Sequence, residues 1–105
     1  MNFQELADNL GLEVDEYKEL VELFIDTGST DFHKIKEALE QRDADLVMRS
    51  AHTIKGAAGN LGLMEVSETA KIIEDTARDN KLDELVPAVR VLGTQIEAIE
   101  TFIHP

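Results

Sequence analysis

Apolar positions recur in steps of three and four along nearly the whole chain, and no stretch alternates apolar and polar at the period of two that a half-buried strand requires. A short opening helix is predicted from Phe3 to about Leu10, with Asn2 as N-cap and Gly11 just past its end. Val14, Tyr17, Val21, Phe24, Gly28, Phe32, Ile35 and Leu39 then form one stripe, with Asp15 as cap. That stripe predicts a long helix over about 14–41, either straight through Gly28 or kinked there. The competing reading ends a helix at Gly28 and starts another with Ser29 or Thr30 as its cap. A third long helix begins after Asp43 or Asp45 and runs to about Leu61, where Gly62 suits a left-handed position and Leu63 is the apolar residue beyond it. A fourth, over about 64–79, carries Val66, Ala70, Ile73 and Ala77 on one stripe. The last begins near Leu82 and sets Leu82, Leu85, Val89, Leu92, Ile96, Ile99 and Ile103 at alternating steps of three and four. Pro87 falls in or just after its first turn, where a missing N–H costs least.

Four long helices joined by short loops predict an all-α fold: an antiparallel four-helix bundle with a short additional N-terminal helix. Residues 1–105 are read as a single domain, long enough for a modest core without covalent staples. The seam of the last helix is coiled-coil-like, but a bundle consumes it internally, so a monomer is expected. Met1 and the complete set of helices favour a free-standing protein.

Composition narrows the function classes. Cysteine is absent, which removes disulfides, thiolate metal sites and a cysteine nucleophile. No apolar run approaches a membrane span, and the opening residues lack a basic, apolar leader, so a cytoplasmic protein without a membrane partner is expected. With 22 acidic residues against 10 basic ones, the formal net charge of −12 disfavours binding to nucleic acid.

The third helix departs from this pattern. At about 100° per residue, Leu46, Val47, Ser50, Ala51, Ile54, Ala57, Ala58 and Leu61 fall on one side of it, and His52 falls near the middle of the other. His52 is therefore expected to face solvent. Gly56 and Gly59 lie within about 40° of it, although each glycine costs a helix interior roughly 1 kcal/mol relative to alanine. We read them as clearing space for a partner or a bulky group at the imidazole. From Leu46 to Met64 there is no acid at all, where a uniform spread would place about four. Arg49 and Lys55 flank His52 at about 60° on either side. An exposed histidine between cations suits a group that carries or meets a phosphate, since neutral imidazole is a competent nucleophile near pH 7. Met48, one turn earlier, reads as outward and suited to a surface that fits more than one partner. His33 and His104 read as surface residues, and no helical His or Glu-x-x-His pairing supports a metal site.

The stretch "AHTIKGAAGNLGL" resembles the signature of histidine-containing phosphotransfer (HPt) domains of two-component phosphorelays, with His52, Lys55, Gly56, Leu61 and Gly62 at the matching positions. Phe24, Leu39, an aspartate at 43 or 45, Ile73-Glu74 and Arg78 extend the similarity over about residues 20–80. The resemblance implies that His52 accepts a phosphoryl group from an aspartyl phosphate on a response-regulator receiver domain or hybrid sensor kinase and passes it to another receiver. Lys55 would stabilise the phosphoryl group, with Arg49 as a second neighbour inferred from its helical position. Gly56 would give room to the incoming receiver. No cofactor is implied for this chain. Mg²⁺ is expected on the receiver's carboxylates, and the carrier itself has no kinase or phosphatase activity. Two other classes compete: an adaptor that binds receivers without carrying phosphate, and a helical interaction module of unrelated function.

Overall fold

Asn2 opens the first helix as its spacing predicts: Oδ1 accepts the Glu5 N–H at 3.1 Å and caps α1, Phe3–Asn9. The computed structural model describes residues 1–105. Gly11, at φ +70°, turns the chain into α2, Val14–Glu40. This helix starts at Glu13 rather than at Asp15, because the Glu16 carboxylate reaches back one turn to accept the Glu13 N–H at 3.1 Å. It is unbroken through Gly28, which is buried inside it beside the Phe24 ring. The reading with a stop at Gly28 is thereby overturned: the stripe is buried on both sides of the glycine, at Val21, Phe24 and Ile25 before it and Ile35 and Ala38 after it.

Arg42 takes a positive φ of 56°, and Asp43 then caps α3, Ala44–Asn60, with Oδ1 accepting the Leu46 N–H at 3.1 Å. Gly62, at φ +75°, ends α3, and the Leu63 N–H returns to the Ala58 carbonyl at 2.9 Å. Buried Leu63 closes this left-handed stop against the core. The Tyr17 hydroxyl, fully enclosed, donates to the Leu61 carbonyl and ties α2 to the same turn.

After α4, Met64–Arg78, Asn80 adopts φ 59° and a single 3₁₀ turn spans Leu82–Glu84. The last helix, α5, is Val86–Ile103, with Pro87 in its first turn. It starts later than the seam predicts: Leu82 and Leu85 are buried with Val89, Leu92, Ile96 and Ile99, but they belong to the 3₁₀ turn and its end. The apolar phase runs through the turn although the α-helix does not.

The structure has five α-helices and no strand. α3 packs on α2 and α4, α5 packs on the same two, and α1 lies against α2, so the four longer helices meet in a closed cycle. Tyr17, Ile35, Ile54, Ile73, Leu85 and Leu92 are among the largest side chains enclosed there. No helix is long and apolar enough to cross a membrane. Among the buried residues a single one is charged, Glu74 on α4.

Candidate functional site

Glu74 is buried because α4 places it at the edge of the stripe of Ala70, Ile73 and Ala77, on the side covered by α3. A carboxylate at 3% exposure needs donors, and the α3·α4 contact supplies them. Oε1 accepts from Lys55 Nζ at 2.6 Å, and Oε2 lies 2.7 Å from His52 Nδ1. Arg78, one turn along α4, adds Nη2 to Oε2 at 3.3 Å and Nη1 to Asp75 Oδ1 at 2.9 Å. Burial pushes the Glu74 carboxyl up, but hydrogen bonds and charge from Lys55 and His52 outweigh it and hold the group below the ordinary value. Glu74 is therefore an anion at neutral pH.

That charge state fixes the imidazole. An ionised carboxylate only accepts, so the neutral His52 ring must carry its hydrogen on Nδ1. The lone pair then lies on Nε2, which has no protein partner, and the side chain is 65% exposed. The ring is held at one nitrogen and offers a nucleophile at the other.

Lys55 is half-buried, with its ammonium on Glu74. Its carbonyl accepts from Ser67 Oγ at 3.0 Å, a second link from α3 to α4. Gly56 is exposed, and a Cβ there would meet nothing within 4 Å. Gly59 is exposed as well, but its Cβ would sit 3.4 Å from Ser67 Oγ, which puts it against α4. Arg49 Nε pairs with Asp45 Oδ2 at 2.8 Å on the outer face of α3. Met48, which the period places outward, is instead partly buried and packs against the core. His33 is exposed, and His104 lies 3.8 Å from Glu22 at the surface. No group of three His, Cys, Asp or Glu side chains could hold a metal ion.

The structure thus brings His52 and Lys55 together through a residue to which the sequence reading gave no role. The stretch free of acids along the chain is not free of them in space, because Glu74 enters from α4. The signal for it is weak: Glu74 falls at the edge of the Ala70, Ile73 and Ala77 stripe, where period alone does not decide between core and solvent, although a carboxylate buried there would need partners.

Chemically, the arrangement can take up an electrophile at Nε2. Positive charge developing on the ring then faces Glu74, and Lys55 supplies the adjacent cation for an anionic group.

The family model described as Hpt domain matches residues 19–102. No curated protein matches the chain. Among solved structures it is similar to histidine-containing phosphotransfer protein B (HptB) from Pseudomonas aeruginosa PAO1, with a TM-score of 0.86 and 21% identity over 99% of this chain and 90% of that one. At that identity the likeness shows the fold. The family match covers most of the chain and includes every residue around the imidazole, so the chain belongs to the Hpt domain family, a phosphotransfer module of two-component signalling.

Proposed function

We propose that this protein is a phosphorelay intermediate on an antiparallel four-helix bundle, α2 to α5, with α1 packed outside it. His52 accepts a phosphoryl group from the aspartyl phosphate of a receiver domain and later returns it to the aspartate of another. The observation that carries this reading is the 2.7 Å contact from His52 Nδ1 to Glu74, beside an exposed ring with a free Nε2.

In the forward step the Nε2 lone pair forms the N–P bond while the P–O bond to the receiver's aspartate breaks, its electron pair leaving on the carboxylate. The Nδ1 proton stays in place, and the positive ring it creates faces the Glu74 carboxylate. A phosphorylated ring kept positive is a good donor, so the same contact serves the reverse step. Transfer of this kind is mostly positioning and charge neutralisation. Lys55 neutralises the phosphoryl group, with Arg49, which is paired with Asp45, as a second cation on the same helix. Gly56 leaves the approach open, and Gly59 and Met48 border the docking face. Mg²⁺ belongs to the receiver, and the carrier has no kinase or phosphatase activity of its own. We place it in the cytoplasm as a monomer, with receiver domains or a hybrid sensor kinase as partners and no nucleic acid.

The test is phosphotransfer from a labelled receiver domain with Mg²⁺ to wild type and to His52→Gln. Acid-labile, base-stable label on wild type alone is the expected result. Binding of receivers without label on either protein would instead make the chain an adaptor.

A further inference from the structure

We propose that Arg78 is a positioning residue for the transfer: it keeps the Glu74 carboxylate compensated and in place while Lys55 leaves it for the phosphoryl group on His52. This rests on the reading of His52 as phosphoacceptor.

The geometry assigns one cation two tasks. In the unphosphorylated protein the Lys55 ammonium sits 2.6 Å from Glu74 Oε1. A phosphoryl group brings close to two negative charges, and Lys55 is the cation beside it. Arg49 already has Asp45 at 2.8 Å. When the ammonium turns outward, Oε1 loses its donor inside the protein. Without Arg78, Glu74 would then keep the imidazole N–H alone, and burial would favour protonation of the carboxyl. A neutral Glu74 no longer stabilises the positive ring.

Arg78 does not replace the donor on Oε1, but it keeps a second cation on the same carboxylate through Oε2. It is four residues from Glu74 on the same helix, so its position does not depend on what α3 does. Nη1 is anchored on Asp75 Oδ1 at 2.9 Å, which leaves Nη2 aimed at Glu74 Oε2. That second contact is 3.3 Å, long for a charge-assisted bond, and can shorten by a few tenths of an ångström without moving the anchor. Around Glu74, then, His52 and Lys55 approach from α3 and Arg78 from α4, and Asp75 meets only Arg78. The guanidinium's five fixed donors suit it to serve two carboxylates together.

The experiment compares wild type, Arg78→Ala and Arg78→Lys as acceptors from a receiver domain phosphorylated with acetyl phosphate and Mg²⁺, across pH. Arg78→Ala should transfer about three- to tenfold more slowly, as suits loss of one partly exposed charge-assisted contact. The acid limb of its rate profile should move to higher pH, and ¹⁵N spectra of its phosphorylated form should show less hydrogen on Nδ1. Arg78→Lys should recover most of the rate, and melting temperatures should stay close together because Arg78 is exposed. Wild-type rate and pH profile in Arg78→Ala, with His52 labelled in both, would overturn this inference alone. Absence of label on wild-type His52 would overturn it together with the phosphorelay reading.

Discussion

His52 and Glu74 are 22 residues apart on neighbouring helices, and a 2.7 Å contact from Nδ1 to Oε2 joins an exposed ring to a buried carboxylate. Two substitutions separate the hydrogen bond from the charge. Glu74→Gln keeps an acceptor for Nδ1–H but loses the anion, and transfer should fall about tenfold. Glu74→Ala removes both and should cost roughly ten- to a hundredfold, in line with 1.5–3 kcal/mol for a bond to a charged group. In ¹⁵N spectra the Nδ1–H tautomer should persist in the glutamine variant and mix with Nε2–H in the alanine one. Wild-type rates in Glu74→Ala would remove the carboxylate from the mechanism.

Glu74 also ties stability to acid. Its carboxyl titrates below the ordinary value in the folded protein and returns to that value, 4.5, on unfolding. A lowered folded pKa stabilises the fold above the unfolded value, and this contribution disappears as pH falls through the folded one. Urea unfolding followed downward from neutral pH should show wild type losing stability below about pH 4.5, with Glu74→Gln falling less steeply over the same range. Parallel curves for the two proteins would place the acid sensitivity in other carboxylates.

The turn between α3 and α4 aligns His52 with Glu74, and Gly62 is the residue that makes it. At φ +75° a Cβ is strained, and here it would also come within 3.3 Å of Leu6 Cδ2. Gly62→Ala should lower stability by about 1–2 kcal/mol, read in urea or thermal melts. Unchanged stability would mean that the left-handed stop is not required.

How far the chain could be read depended on whether a feature repeats along one helix. The stripes of α2 to α5 are long enough that their existence and inward faces follow from period alone. The same argument put His52 outward, and it is 65% exposed. Gly28 was ambiguous because Gly-Ser-Thr looks the same in a helix stop and in a buried helix; only packing on both sides distinguishes them. The start of α5 is not legible from period, because Leu82 and Leu85 keep the apolar phase through a 3₁₀ turn. The pairing of Glu74 with His52 crosses between helices, so no period along one helix carries it. The Arg49–Asp45 pair, at four residues, lay within reach of helical spacing.

Gly56 offers the cleanest separation of docking from folding. A Cβ at this position meets nothing within 4 Å, so no neighbour in the fold requires a glycine. Replacing it should help the helix: Gly56→Ala should stabilise the protein by up to about 1 kcal/mol, and Gly56→Leu should remain as stable as wild type. If the open space serves an approaching receiver, the two variants must part in transfer. Alanine should reduce the rate only modestly, because one methyl fills little of the gap. Leucine should reduce it by an order of magnitude or more, as near-attack geometry is lost with displacements of about 1 Å. Melting curves and single-turnover transfer on the same preparations decide the matter. A leucine variant that is stable and transfers at the wild-type rate would show that receivers do not approach over Gly56, and the docking face would have to lie on the other side of His52.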